Sequence, residues 1–182
     1  WSRADVDAYA ARSHQRATVA RAEGRFARSV VPVHDIAGLQ LLAEDETIRP
    51  ATTPETLARL EPSFAMMGQM GFDATALRKY TTGERIHHVH HAGNSSGIVD
   101  GAALMLIGSA EAGRRAGLRP RGRIRSMAVI GSEPTIMLTG PAPSCRKALA
   151  KAGMAPADID LWEVNEAFAA VPMKCARELG VD

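Results

Sequence analysis

Apolar and polar residues alternate with helical spacing over several separate stretches of this chain. Ser2 followed by Asp5 is typical of a capping box, and apolar side chains then recur at helical spacing from Val6 to Ala20. Gly24 is a typical helix terminator. We therefore predict a first helix that begins after Ser2 and ends before Gly24. Further helices are predicted at 53–60, 109–117, 141–153 and 166–179.

Short apolar runs precede several of these helices. The runs at 102–107, 123–131 and 159–164 are typical of buried strands, and 26–35 is typical of a short strand after the first helix. Strands that alternate with helices predict α/β layers. Residues 35–85 hold scattered proline, threonine and methionine without a sustained period. We predict a loop-rich region there, a kind of segment that is more often functional than accidental.

The composition is that of a folded protein. Hydrophobic residues make up 46% of the chain, and no apolar run approaches the roughly 18 residues of a membrane span. The formal net charge is only +2, which gives no long-range attraction to nucleic acid or to an anionic membrane. Two cysteines do not make a disulfide framework. We therefore expect a cytoplasmic protein without a membrane span or a nucleic-acid partner.

One basic run keeps a nucleic-acid hypothesis open. Six arginines lie between Arg114 and Arg125, but no aromatic residue is interleaved with them, and aromatic residues make up only 4% of the chain. A solvated surface at the end of a helix is the simpler interpretation.

Four histidines stand directly before a glycine-bracketed turn. His87 and His91 have a spacing that could chelate a metal ion on a helix, whereas His88 and His90 would share one face of a strand. No aspartate, glutamate or cysteine lies close by in sequence to complete a ligand set. We expect a strand whose histidines hydrogen-bond locally, with a metal site as the alternative.

The turn itself carries polar groups that a ligand could use. Gly93 and Gly97 bracket Asn94, Ser95 and Ser96, so the backbone and two hydroxyls can approach a ligand closely. Amides and hydroxyls of this kind suit a linear amide-bearing ligand better than a phosphate. An ordinary turn with a helix cap is the alternative, and residue type alone favours it.

Asn165 falls between the predicted strand at 159–164 and the predicted helix at 166–179. Open α/β sheets place ligands and catalytic groups at such strand ends. An asparagine there is equally a typical helix N-cap, and residue type alone favours the cap.

Of the two cysteines, Cys145 lies near a helix start that could activate a thiol, and Cys175 is most simply a packing residue.

Three stretches together resemble one family. Residues 91–103, 122–153 and 158–170 are similar, in that order, to the middle of a thiolase, the family of acetyl-CoA acetyltransferases and 3-ketoacyl-CoA thiolases. Residues 2–33 resemble the start of the segment that thiolases insert between their two halves. The histidine-rich turn, together with 136–141, is most similar to the thiolase subunit of bacterial fatty-acid oxidation complexes.

The resemblance implies a partial thiolase-like layered α/β fold. The inserted loop domain would span 1–98, the end of the N-terminal thiolase domain 99–119, and the start of the C-terminal domain 120–182. The implied activity is acyl transfer, as the thiolysis of 3-ketoacyl-CoA or the reverse Claisen condensation of acetyl-CoA. Coenzyme A would be substrate or product, with no permanently bound cofactor and no metal. A non-catalytic thiolase-like protein that binds coenzyme A or lipid is the alternative.

The resemblance also assigns roles to residues of this sequence. Ser96 matches a turn serine that contacts the pantetheine arm of coenzyme A, and Asn165 matches an asparagine that orients a water in the oxyanion hole. The resemblance further implies a homodimer or homotetramer, which in degradative thiolases pairs with a hydratase/dehydrogenase subunit. The residues that match the lining of the coenzyme A cleft and of the acyl and pantetheine pocket are Arg49, Thr56, Leu60, Phe64, Met137 and Phe168.

Other family features have no counterpart in these 182 residues. Thiolases use a nucleophilic cysteine in their first half, a histidine in a Gly-His-Pro context and a second cysteine near the C-terminus. No Gly-His-Pro occurs here, and neither Cys145 nor Cys175 stands in a matching position. We therefore expect a central segment of a longer thiolase.

Overall fold

Helix α1 spans Arg3–Ala22 and begins where the sequence predicts. A computed structural model describes residues 1–181. The Ser2 hydroxyl accepts the Asp5 backbone N–H at 3.2 Å, and the Asp5 carboxylate accepts the Ser2 N–H at 2.7 Å. Gly24 follows the helix with a φ of +65°, a left-handed conformation that glycine adopts without strain. The predicted capping box and stop signal are confirmed.

The chain forms two compact units, and the first comprises Trp1–Gly97 and Asn165–Met173. A small apolar core joins Ala10 and Ala11 of the first helix to Leu57. After α1, this unit contains strands β1 (Val33–His34) and β2 (Gln40–Leu42), helices α2 (Pro54–Leu57) and α3 (Ala65–Met67), a π-helical turn (Gly68–Phe72), helix α4 (Asp73–Lys79) and a 3₁₀ turn (Ala92–Asn94).

The second unit comprises Ile98–Val164 and the chain from Lys174 onward. Its core packs Ala142, Cys175 and Leu179 together, with Cys145 and Trp162 at the margin. Its helices are α5 (Ala110–Arg115), α6 (Pro141–Ala152), a 3₁₀ turn (Pro156–Asp158) and the second half of α7 (Ala170–Leu179).

Local capping signals were sufficient to predict α2, α5 and α6. Thr53 caps α2 and forms a capping box with Thr56, and Ser109 accepts a backbone N–H at the start of α5. Gly153 ends α6 with a φ of +67°. The predicted helices at 109–117 and 141–153 are therefore confirmed, whereas the one predicted at 53–60 forms only as the four residues of α2. The three-domain division at residues 98 and 119 stays a prediction.

The predicted strands of the second unit are wrong. Residues 102–107, 123–131 and 159–164 adopt no strand, and the run at 26–35 contains only the two residues of β1. A strand exists only where a neighbouring strand completes its backbone hydrogen bonds, which an apolar run alone cannot supply. The side chains from Leu104 to Ile107 are accordingly 66–100% exposed. In the described residues, paired β-structure consists of the β1–β2 hairpin and a single bridge between Ser95 and Phe168.

Side chains of helix α6 bind the backbone of part of the predicted strand at 123–131. The backbone carbonyls of Met127, Ala128 and Val129 accept hydrogen bonds from side chains of α6 at 3.0, 3.3 and 2.9 Å. Their donors are Lys151, Ser144 and Lys147. These bonds satisfy carbonyls that a neighbouring strand would otherwise engage.

Between residues 1 and 181, no helix has the length and apolar character required to cross a membrane.

Candidate functional site

The histidine-rich segment enters a 3₁₀ turn rather than forming a strand. Residues 87–91 have no strand pairing, and His91 is the N-cap of the turn. Its Nδ1 accepts the Gly93 N–H at 3.0 Å, and the Asn94 side-chain carbonyl accepts the His91 N–H at 3.0 Å. The predicted strand is wrong because these groups bond locally along the chain, whereas the predicted turn and its local hydrogen bonds are confirmed.

A buried carboxylate from α1 holds this turn. Asp7 Oδ1 lies 2.8 Å from both His91 Nε2 and Asn94 Nδ2, and Oδ2 accepts from Arg3 Nε at 2.8 Å. Because His91 Nδ1 accepts the Gly93 N–H, Nε2 carries the ring proton. Nε2 therefore donates a hydrogen bond to the Asp7 carboxylate. Arg3 in turn donates to the backbone carbonyls of residues 57 and 60. The turn is therefore fixed to α1 by side-chain bonds.

The remaining histidines of the segment have other partners. His88 Nε2 lies 2.9 Å from Asp73 Oδ2, and His90 Nδ1 lies 3.2 Å from Asn94 Oδ1. Burial lowers the pKa of His90, against a smaller opposite effect of its hydrogen bond to Asn94. Across residues 1–181, no three histidine, cysteine or acidic side chains converge as the ligands of a metal ion would.

Residues 165–169 lie along this turn and are not helical. Ser95 forms an antiparallel bridge with Phe168, the Ser96 N–H donates to the Ala167 carbonyl at 3.1 Å, and the Ala169 N–H donates to the Asn94 carbonyl at 3.0 Å. Because these bonds engage the backbone, α7 begins only at Ala170. The predicted helix start at 166 and the interpretation of Asn165 as a helix N-cap are therefore wrong.

Glu166 is bound by two hydroxyls of α1. The Tyr9 hydroxyl donates to Oε1 at 2.9 Å, and the Ser13 hydroxyl donates to Oε2 at 2.7 Å. Burial, and then the Glu166 carboxylate, raise the pKa of Tyr9 to about 12, so the phenol stays protonated and remains a donor. Sequence reasoning did not identify these three residues, although Tyr9 and Ser13 have the i,i+4 spacing that places both side chains on one face of a helix.

Three of the predicted site residues meet in one cleft of about 280 Å³ in the first unit. These are Arg49, Ser96 and Asn165, all of which are exposed. The Arg49 backbone N–H donates to His14 Nδ1 at 3.2 Å. Burial, and then the charge of Arg49, lower the pKa of His14. The cleft is also lined by Tyr9, Ser13, Thr47, Ile48, Asn94, Ser95, Glu166 and neighbouring small residues.

The other predicted site residues lie outside the lining of this cleft. Thr56 belongs to the capping box of α2, and Leu60 is exposed. Phe64 and Phe168 pack edge to face, with ring centroids 5.8 Å apart. Met137 belongs to the second unit, where it is exposed and has a φ of +56°.

Neither cysteine belongs to the first unit. Cys175 is buried in the core of the second unit, as predicted for a packing residue, and Cys145 packs beside it. Burial, and then the neighbouring Cys145, raise the pKa of the Cys175 thiol. A raised pKa disfavours the thiolate that a nucleophile requires.

Two family models match the chain. The model described as the N-terminal domain of thiolase matches residues 1–76, and the model described as the C-terminal domain matches 118–182. The 3-ketoacyl-CoA thiolases of Aeromonas hydrophila and Escherichia coli O1:K1 are 43% identical to the chain, and that of Citrobacter koseri is 44% identical. Each alignment covers 99% of this chain but 42% of the relative. The chain therefore spans about two fifths of the length of these curated relatives.

Proposed function

We infer the function from one premise, that this chain belongs to the thiolase family. The matched domains imply the α/β fold of that family. We propose that the full-length protein is an acyltransferase that cleaves 3-ketoacyl-CoA with coenzyme A, or runs the reverse Claisen condensation of acetyl-CoA. The relatives are named 3-ketoacyl-CoA thiolases, which supports the degradative direction. Coenzyme A is then substrate or product, and the proposal requires no resident cofactor.

The observation that carries the proposal is the meeting of Arg49, Ser96 and Asn165 in a single cleft. These residues are far apart in sequence and come from a loop, a turn and the non-helical segment that precedes α7. In the proposed complex, the Ser96 turn contacts the pantetheine amides and the Arg49 guanidinium lies beside the charged part of coenzyme A. Hydroxyls and backbone amides are suitable donors for the pantetheine arm.

Asn165 is proposed to act at the thioester. Its side chain would orient a water molecule that donates to the thioester oxygen, where negative charge develops as the enolate forms. A preorganised donor at such a position commonly contributes ~2.7–4 kcal/mol of transition-state stabilisation. Asn165 is exposed to the cleft, so its amide is accessible to substrate.

Apolar residues complete the proposed binding surface. Leu60 and Phe64 are half exposed, and Phe64 packs against Phe168. We propose that Thr56, Leu60 and Phe64 line the wider coenzyme A cleft and that Phe168 and Met137 shape the acyl and pantetheine pocket. Large apolar groups with partial exposure suit an acyl chain.

We also propose, from the family resemblance, a cytoplasmic homodimer or homotetramer that pairs with a hydratase/dehydrogenase subunit. Exposed apolar side chains of the second unit, among them Leu104, Met105 and Leu106, support association because such surface is normally covered. The mass of the native protein in light scattering, alone and mixed with such a subunit, tests this proposal. A monomer under both conditions contradicts it.

The proposed activity is tested with the protein at its full coding length. Loss of the 3-ketoacyl-CoA enolate absorbance on addition of coenzyme A measures thiolysis, and calorimetry measures coenzyme A binding. Turnover with binding supports the proposal. Binding of coenzyme A without turnover would instead support the alternative, a non-catalytic binding protein. The absence of both binding and turnover would contradict the proposed thiolase activity.

Two variants separate the proposed roles of the cleft. We expect Asn165→Ala to lower kcat by roughly 10²–10³-fold with little change in coenzyme A affinity. Ser96→Ala should instead weaken coenzyme A binding by about 0.5–1.5 kcal/mol. Gln69→Ala and Ser29→Ala, on exposed positions outside the cleft, are the matched controls. If Asn165→Ala keeps the parent kcat, Asn165 has no part in the reaction.

A further inference from the structure

We propose that Glu166, clamped by Tyr9 and Ser13, is a positioning residue that fixes the direction of Asn165 in the cleft. This inference rests on the proposed function, because it assigns a role within the thiolase reaction to groups that do not touch the reacting atoms. It adds to the site three residues, two of them on a helix more than 150 positions away along the chain.

The clamp occupies both oxygens of one carboxylate. Tyr9 and Ser13 lie four residues apart on α1, so their side chains emerge on the same face of the helix. Their hydroxyls donate to Oε1 and Oε2 of Glu166 at 2.9 and 2.7 Å. Two donors on two different oxygens fix the rotation of the carboxylate as well as its position, which one hydrogen bond cannot do. Hydrogen bonds to an ionised carboxylate are also stronger than neutral ones.

Helix α1 is a rigid platform for this clamp. One face of it is buried through Val6, Ala10 and Ala11, and Asp7 binds both His91 and Asn94. The same helix therefore fixes the turn that carries Ser96 and the segment that carries Asn165. The separation of the two proposed substrate contacts is set by one common element.

Asn165 depends on its neighbours for its position. In the described part of the chain, no hydrogen bond holds the Asn165 side chain itself, and the nearest backbone bond to the turn is the one between Ala167 and Ser96. Glu166 lies between Asn165 and Ala167, and its side chain is held by the hydroxyls of Tyr9 and Ser13. Without the clamp, the backbone of residues 165 and 166 would be held only by the Ala167 bond on one side and by the packing of Val164 against the core of the second unit on the other. Loss of preorganisation of this kind lowers the rate without removing any substrate contact.

The test is a double-mutant cycle in the full-length protein, with clamp removal as one arm and Asn165→Ala as the other. Clamp removal is the Tyr9→Phe/Ser13→Ala double variant, which deletes two hydroxyls from partly exposed positions. Thr18→Val is the matched control, since it deletes a hydroxyl of α1 that bonds only within the helix. We expect clamp removal to lower kcat roughly tenfold, a larger effect than its effect on the coenzyme A dissociation constant, and to lower the melting temperature only by what the two lost hydrogen bonds contribute. Glu166→Gln, which keeps one acceptor oxygen, should lose less than Glu166→Ala.

The cycle distinguishes positioning from a general structural effect. In the Asn165→Ala background, clamp removal should have no further effect on kcat, because the clamp acts through Asn165. An equal loss in both backgrounds, or no loss in the parent, would overturn the inference. Suppose that the parent protein is active and that Asn165→Ala lowers kcat while the clamp variants keep the parent kcat. That result overturns the inference about the clamp but not the proposed function. A parent protein without thiolysis overturns the proposed function, and this inference with it.

Discussion

Asp7 and His91 form a buried pair that joins helix α1 to the turn carrying Ser96. His91 Nε2 lies 2.8 Å from Asp7 Oδ1, and the two side chains are only 1% and 2% exposed. Buried polar groups of this kind are costly when one partner is removed, because the other remains desolvated and unpaired. The pair therefore couples the stability of the first unit to the geometry of the proposed coenzyme A turn.

We predict that Asp7→Ala destabilises the first unit by about 3–5 kcal/mol, because it leaves His91 and Asn94 without their shared acceptor. Hydrogen exchange of peptides covering 91–97 measures the effect where it acts, and urea unfolding measures its size. The control is Glu61→Ala, which removes an exposed carboxylate from the first unit. A loss for Asp7→Ala no larger than that for Glu61→Ala would show that the buried network contributes little.

The second prediction concerns close packing at Gly93. A Cβ at this position would lie 2.5 Å from Leu57 Cδ2 and 2.8 Å from Leu60 Cδ1. Leu57 is buried, so it cannot move without disturbing the core. We expect Gly93→Ala to cost about 1–3 kcal/mol of stability and to weaken coenzyme A binding through a displaced turn. Gly101→Ala, where a Cβ meets nothing within 4 Å, should leave both quantities unchanged.

The third prediction concerns pH. Burial holds the pKa of His90 below its ordinary value of 6.5, so below that pH the unfolded chain binds this proton more readily than the folded protein. The contribution of His90 to stability is present above pH 6.5 and is lost as the pH falls toward the lowered pKa. Urea unfolding between about pH 7.5 and 5.5 should therefore lose stability less steeply in His90→Gln than in the parent. His34→Gln controls for the loss of one imidazole, and equal slopes for parent and His90→Gln would contradict the prediction.

Sequence reasoning succeeded where structure depends on residues a few positions apart. The capping boxes of Ser2 with Asp5 and of Thr53 with Thr56 are complete within four residues, and Gly153 ends α6 by its own conformational freedom. It failed for the strands because an apolar run does not reveal its pairing partner. The N-cap interpretation of Asn165 failed for the same reason, since the bonds that delay α7 come from a turn about 70 residues away.

The same distinction between local and long-range contacts applies to the candidate site. Ser96 and Arg49 were predicted from the family resemblance, and they do line one cleft with Asn165. Asp7 and Glu166 were not predicted, because each acts through partners 84 to 157 positions away. One signal in the sequence could have identified Asp7. It is a charged residue on the helix face that also carries Val6, Ala10 and Ala11, and a charge on a buried face requires partners.

The fourth prediction separates the two cysteines by their reactivity. Cys175 is buried, and burial followed by the neighbouring Cys145 raises the pKa of its thiol, so both access and thiolate fraction are low. Cys145 is partly exposed on α6. Timed alkylation with iodoacetamide, followed by peptide mass spectrometry, should therefore label Cys145 well before Cys175 in the native protein. In urea the two sites should react at similar rates, which controls for peptide detection. Equal native rates would show that the core of the second unit opens easily, and Cys175 would then not be the stable packing residue that the structure indicates.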